Sequence, residues 1–337
     1  LKPVISALMS AFNVERYIGT TIRSILNQTY DDFELIIVND GSDDRTGEII
    51  RQYDDSRIRI VDLPQNCGIA AALNEGLLLA KGDYLAKVDG DDCYHPDRFL
   101  LQKEYLDQHP DIDVAKTLVE HFSDEDHVLS SDRFNSLRKY TESSNNLAIS
   151  PADIAQQLYW HNCIVHSSVM YRRQLFSRFQ YRAFPMGEDY DLFYRMNRAG
   201  VRMGTVEETL TSVRVTDYST TAKHISKFNS VVADIKEEEL RQLLHSAERL
   251  YLWGAGSFGR DVKRTMESRG FRVHAFIDSD NEKAGTNIDG ICVDVPDSIV
   301  RDGHSKVLVC SQPGMRSIVR ALEASGFEHL KDYMVFR

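Results

Sequence analysis

Three carboxylates stand within four residues at Asp89-Gly90-Asp91-Asp92. So close together they repel one another unless a cation lies among them. Carboxylate oxygens suit hard ions such as Mg²⁺ or Mn²⁺, which keep several waters and share their shell with phosphates. An ion held there could neutralise the charge on a departing diphosphate. The same residues also read as an acidic loop ahead of the turn at His95-Pro96-Asp97. Upstream, Asp40 in Asn39-Asp40-Gly41-Ser42 could accept hydrogen bonds from a base N–H or a ribose hydroxyl, or simply close an Asp-Gly turn. A third signal, Gly254-Ala255-Gly256-Ser257-Phe258-Gly259, has the spacing of a phosphate-cradling glycine loop, with Asp278 at the end of the next strand.

Short elements must position these groups. A β-prone apolar run at 4–9 is followed by apolar residues at helical spacing: Val14, Ile18, Ile22, Ile25 and Leu26. Runs at 33–38, 58–62 and 84–88 read as strands, and 47–53 and 70–80 as helices. This alternation predicts a mostly parallel sheet with helices on both faces. Ligands gather at the carboxyl ends of such strands, where both acidic clusters fall. Residues 115–146 read as polar and turn-rich, 163–171 as an apolar run and 189–199 as a helix, for which Asp189 is suited as N-cap. Residues 219–247 look helical and charged; βα alternation then resumes at Leu250-Tyr251-Leu252-Trp253. The expected organisation is an α/β domain over 1–219, a helical connector over 220–248 and a second, smaller α/β domain over 249–337.

Composition excludes several classes. The chain has 337 residues, 42% apolar and 27% charged, enough to bury a core and unlike a disordered tail. Its formal net charge of −11 argues against nonspecific nucleic-acid binding, which needs a basic surface. No apolar run approaches the ~18 residues of a membrane helix. Cys67, Cys93, Cys163, Cys292 and Cys310 are odd in number and form no CxxC pair, which argues against a disulfide framework or a zinc ribbon. A cytoplasmic protein, with peripheral attachment at the inner membrane face left open, is the expectation.

An ordered set of fragments resembles family 2 glycosyltransferases of the GT-A fold. It comprises Met9-Ser10-Ala11-Phe12-Asn13, Ser24-Ile25-Leu26-Asn27-Gln28-Thr29-Tyr30, Phe33-Glu34-Leu35 and Asn39-Asp40-Gly41-Ser42. Asn66-Cys67-Gly68-Ile69-Ala70, Asn74, Lys81-Gly82-Asp83-Tyr84 and Asp89-Gly90-Asp91-Asp92 follow, then His166-Ser167-Ser168 and Gly187-Glu188-Asp189-Tyr190. The resemblance runs over roughly residues 3–218. It implies a metal-dependent, inverting transfer of a sugar from a nucleotide-sugar, UDP preferred, to a glycan or lipid-linked glycan in surface-polysaccharide assembly. Asp40 would hold the base; Ser10, Phe12, Asn13, Glu15, Asn66, Asn74, Gly90 and Glu188 would complete the donor site. Asp91 would bind Mn²⁺ or Mg²⁺ directly, Asp89 would sit nearer the ribose or sugar while sharing the metal, and Asp189 would be the catalytic base.

Three positions depart from the family pattern: Leu73 where Arg or Lys is frequent, Arg45 where Gly is, and Arg214-Val215-Thr216 where an Arg-x-His supplies a metal-binding His. His166 reads either as a substitute ligand or as a core histidine. Tyr159-Trp160-His161 reads either as an acceptor platform or as core filling. The C-terminal segment, through Gly254, Gly256, Gly259 and Asp278, resembles small Rossmann-like modules attached to polysaccharide-synthesis enzymes. It would either bind a nucleotide such as NAD(P) or serve packing and homo-oligomerisation. Two rival functions remain at this point: an NAD(P)-linked dehydrogenase or epimerase, which lacks a Tyr-x-x-x-Lys, and a non-catalytic scaffold that keeps the fold.

Overall fold

Eight strands form the first sheet of the computed structural model, which describes residues 2–217, 225–311 and 314–337. They are β1 (Ile5–Ala11), β2 (Phe33–Asn39), β3 (Ile58–Asp62), β4 (Tyr84–Asp89), β5 (Cys93–Tyr94), β6 (Val114–Phe122), β7 (Val169–Arg172) and β8 (Met203–Arg214). Their spatial order is β3-β2-β1-β4-β7-β6-β8-β5. The first four are mutually parallel, β7 runs antiparallel to both its neighbours, and β6 and β8 pair in parallel.

Both faces of β1 are covered, as a parallel strand requires. Ile5, Ala7 and Met9 pack in one cluster with Ile18, Ile22 and Ile25 of the Ile18–Leu26 helix. Leu8 points the other way, against the Ile69–Leu79 helix; a Cβ on Gly76 would fall 2.1 Å from Leu8 Cδ1. A glycine there lets helix and strand approach closely. The alternation expected over the first ninety residues thus folds as a parallel half-sheet.

The sheet's other half departs from expectation. The polar composition of 115–146 predicts loops, yet Val114–Phe122 is a nine-residue strand inside the sheet. Lys116, Thr117 and His121 are buried rather than solvated: Lys116 is 2% exposed and donates to the Asn145 carbonyl at 2.7 Å. Met203–Arg214, with adjacent glutamates in its middle, extends the sheet further.

The chain divides into two units, Leu1–Leu158 with Asn162–Lys223, and Tyr159–His161 with His224–Arg337. The expected 219/220 boundary lies outside the described residues. The second unit carries β9 (Arg249–Trp253), β10 (Ala275–Ile277), β11 (Asn287–Ile288), β12 (Ile291–Asp294), β13 (Ser305–Val309) and β14 (Tyr333–Val335) in the order β11-β12-β10-β9-β13-β14. All but the β11–β12 pair are parallel. The helices Phe228–Ile235 and Glu237–Leu244, expected as a connector, contribute Val232, Ala233, Leu240, Leu243 and Leu244 to the core that holds Leu252 and Phe276. Their apolar stripes need a partner, and the sheet supplies it. Trp160 is buried with Tyr251, Trp253 and Tyr333, so here it fills core. No helix among the described residues is long and apolar enough to cross a membrane.

Candidate active site

Register brings the acidic strand ends together. Ser10 pairs with Asp89, Ala11 pairs with Asn39, and the Asp40 N–H donates to the Ala11 carbonyl at 2.9 Å. Asp40 and Asp89 therefore flank the end of β1.

The loop after β1 is fastened to the loop after β2. Asn13 adopts a left-handed φ of 53°, which asparagine tolerates. Its N–H donates to Ser42 Oγ at 3.1 Å and its amide to Asp43 Oδ1 at 2.6 Å. Glu15 accepts the Arg45 N–H at 2.9 Å, which gives the departing Arg45 a structural partner. Phe12 is left 43% exposed beside this loop. Asp40 is buried and its two oxygens accept the N–H groups of Cys67 (2.8 Å) and Gly68 (2.9 Å), so its first task here is to shape the 65–68 loop. Asn66 stands exposed on that loop. The Asn74 amide pairs both ways with the Tyr181 backbone, at 2.9 and 3.0 Å, which makes it a tie between chain segments. Gly90 is buried, and a Cβ added to it would lie 3.3 Å from both the Val14 and the Ile18 side chains.

The three clustered carboxylates have three different fates. Asp92 turns inward, accepting Ser167 Oγ at 2.5 Å and the Arg214 N–H at 2.8 Å. Burial, and then the charges of Asp91 and Asp89, push it well above the usual carboxylate range. Asp89 is paired with Lys87, whose side chain is wholly buried. Burial, the largest single cause, would raise the Asp89 carboxyl, but Lys87 together with His166 and Arg98 holds the group below its ordinary value. Asp91 is pushed up to about 6, by burial first and by the Asp89 charge second. Its backbone is fixed by Arg214, whose Nε donates to the Asp91 carbonyl at 2.7 Å. The Arg214 guanidinium lies over the rings of Tyr17 (4.6 Å) and Phe122 (4.4 Å) and pairs with Asp124.

A resident divalent ion fits this donor set in a limited way. Asp91 is raised mainly by burial, and the Asp89 charge adds a smaller repulsion that a cation would relieve. Among the described residues no three His, Cys, Asp or Glu side chains converge as metal ligands. A hard ion bound through one or two carboxylates, with diphosphate and water completing its shell, suits that arrangement. Thr216 offers no replacement for a histidine, since it is buried with its carbonyl taken by Arg133 at 2.6 Å. His166 is a core residue: burial and the Lys87 charge lower it to about 3, and its Nε2 lies 2.9 Å from the Tyr181 hydroxyl.

Glu188 and Asp189 open the Glu188–Arg198 helix after Gly187, whose φ is 80°. The N-cap is Gly187, so Asp189 belongs to the first turn instead of the cap. Asp189 is raised by burial, with the Asp89 charge adding to it; the Tyr190 N–H and the Asn162 amide pull the other way. Glu188 is pushed up to about 8 by burial and by Asp189. The Asp89 charge acts on both, so the strand-end and helix-end carboxylates share one electrostatic environment.

Sequence reasoning singled out neither Lys87 nor Asn162. A lysine inside the apolar run Leu85-Ala86-Lys87-Val88 was a usable signal, because a buried charge demands a counter-charge. Asn162 left no such trace.

The C-terminal glycine loop packs tightly. Gly254 has φ 125°, and a Cβ on Gly259 would lie 1.8 Å from the Gly254 carbonyl oxygen. A Cβ on Gly256 would meet nothing within 4 Å. Asp278 accepts the Ala255 N–H and pairs with Lys283, both at 3.1 Å, so this acid is engaged by its own loop.

Comparison with known proteins bears on the chain's family. An uncharacterised glycosyltransferase of Haemophilus influenzae is 26% identical over 251 residues, covering 72% of this chain and 75% of that protein. The putative teichuronic acid biosynthesis glycosyltransferase TuaG of Bacillus subtilis is 39% identical over 107 residues, covering 31% of this chain and 42% of its own. Among solved structures, TarS of S. aureus in complex with UDP-GlcNAc matches with a TM-score of 0.56 at 18% identity, over 70% of this chain and 66% of that one. Mannosyltransferase PcManGT from Pyrobaculum calidifontis, in complex with GDP-Man and Mn²⁺, gives 0.54 at 18% identity, over 72% and 65%. At that identity the two structures speak for the GT-A-like fold alone. The family model described as glycosyl transferase family 2 matches residues 6–179, more than half of the chain and the very strands that carry Asp40, Asp89 and Asp91; to that family the chain belongs.

Proposed function

We propose that the first unit transfers a sugar, with inversion, from a nucleoside diphosphate donor to a hydroxyl of a glycan or lipid-linked glycan in surface-polysaccharide assembly, UDP being the preferred nucleotide. The observation that carries this reading is the strand register that sets Asp40 and Asp89 on either side of the end of β1, with the Asp89 charge also reaching Glu188 and Asp189. It supports a donor side at Asp40 and Asp89 and an acceptor side at Asp189. The teichuronic acid assignment of TuaG supports the pathway reading, while TarS with UDP-GlcNAc and PcManGT with GDP-Man and Mn²⁺ are examples of the proposed donor and metal classes.

The acceptor hydroxyl loses its proton to the Asp189 carboxylate as its oxygen attacks the anomeric carbon. The new bond forms on the face opposite the breaking carbon–phosphate oxygen bond, and the nucleoside diphosphate leaves with that electron pair. Glu188, protonated at neutral pH, adds no second charge beside the base. Lys87 helps to keep Asp89 ionised. Arg214 holds the Asp91 backbone, and Asp40 holds the 65–68 loop. A Mn²⁺ or Mg²⁺ ion held by Asp91 and Asp89 would supply charge neutralisation for the leaving diphosphate.

A donor panel read by nucleoside diphosphate release tests the substrate class. Titration calorimetry of UDP with and without Mn²⁺ tests the metal: Asp91→Ala should abolish a metal-dependent gain in affinity. Asp189→Asn should keep donor binding and lose turnover. Equal UDP affinity in both conditions, together with an active Asp189→Asn, would remove the reading.

A further inference from the structure

We propose that Asn162 is a positioning residue for the reaction: its side-chain amide holds one oxygen of Asp189 and thereby directs the other to the acceptor hydroxyl. The proposal rests on Asp189 being the base.

The geometry fixes the amide's orientation. Asn162 Oδ1 accepts the Ile164 N–H at 3.2 Å, a role that only the oxygen can fill. The NH₂ group is then the end that faces Asp189 and donates to Oδ2 at 2.9 Å. A carboxylate with one oxygen anchored presents the other in a defined direction. Asn162 and Asp189 are both half-buried, so neither residue is sealed from solvent.

The groups facing Asp189 show why this donor matters. On its own helix stand Glu188 and the Tyr190 N–H; from β4 comes Asp89, itself paired with Lys87. Tyr171 of β7 and Tyr181 complete the surroundings and are themselves raised, with Asp189 among the causes. Among the described residues that act most strongly on Asp189, the one charged side chain is Asp89, which raises it. Asn162 is therefore the side chain that favours the charged form of the base, since hydrogen bonds to a carboxylate lower its proton affinity.

The test uses the full chain without metal or nucleotide, ¹³C-labelled at aspartate carboxyls. The Asp189 resonance is assigned by its loss in Asp189→Asn. In Asn162→Ala its titration midpoint should rise by about one pH unit. Asn162→Asp, closer in shape, should raise it further, and serves if the alanine variant does not fold. In parallel, UDP release from UDP-GlcNAc in Mn²⁺ buffer, with water as acceptor, is measured against pH. Asn162→Ala should lower kcat about 10- to 100-fold with KM for the donor unchanged within about twofold, and should move the acid limb upward by the same unit. An unshifted Asp189 resonance in a folded variant overturns the inference. So does a loss of kcat with no movement of the acid limb. Turnover by Asp189→Asn would instead refute the base, a separate outcome from a silent Asn162.

Discussion

Replacing Glu188 by Gln gives a prediction whose size follows from the structure. Glu188 is 8% exposed and lies beside Asp189, and burial with that neighbouring charge pushes its carboxyl from an ordinary 4.5 up to about 8. Between those pH values the folded protein holds a proton that the unfolded chain has released. Stability from this group is therefore complete below about pH 4.5 and is lost as pH rises through about 8. At about 1.36 kcal/mol per unit, the full gap amounts to at most ~5 kcal/mol. Glutamine is neutral throughout, so Glu188→Gln escapes the loss. Near pH 5 the two proteins should differ from this cause by less than about 1 kcal/mol. By pH 9 the variant should be the more stable, with a Tm advantage on the order of 10 °C. Calorimetric melts from pH 5 to 9, in chelator and without nucleotide, read this directly. A Tm difference that stays constant across the range would show that Glu188 is ionised in the folded state, and the electrostatic account of the helix end would fall with it.

Two further changes probe the supports. Lys87→Met removes the buried partner of Asp89 and should cost about 2 kcal/mol or more, a figure reduced because the Asp89 side chain keeps some solvent access. Added Mn²⁺ should then raise its Tm more than it raises the parent's, and equal shifts would argue against a cation near Asp89. In the second unit, Gly259→Ala places a methyl 1.8 Å from the Gly254 carbonyl oxygen. The backbone must move, so the variant should lose about 3 kcal/mol or more in chemical denaturation, while Gly256→Ala, with open space around it, should lose under about 1. Similar losses at both positions would undo the packing argument.

How much was legible beforehand differs between the halves of the first sheet. Val4 to Asp89 alternates cleanly because β1, β2 and β4 are buried on both faces and read as apolar runs, with only the edge strand β3 partly exposed, so the strand ends and the acids beside them could be placed. Val114–Phe122 escaped because Lys116 and Thr117 are buried polar residues, and their partners, Asn145 and Thr211, come from distant segments. The helices Phe228–Ile235 and Glu237–Leu244 looked like a charged linker because of Lys236-Glu237-Glu238-Glu239, of which Lys236 and Glu239 are in fact buried; the apolar stripe shows its role only against the sheet.

At the site the division is chemical. Residue type and order along the chain were enough to specify the fold class and the family, and through the family resemblance to single out Asp40, Asp89, Asp91 and Asp189 as candidates, because the motifs that carry it are short and local. Tertiary structure alone decided which acids do what. Asp92 turned to Ser167 and Arg214, Asp40 to the 65–68 loop, Asn74 to Tyr181, and Asn162 to Asp189. Each of those pairings joins residues far apart in sequence, and a carboxyl's charge depends on burial and on neighbours that only folding brings near.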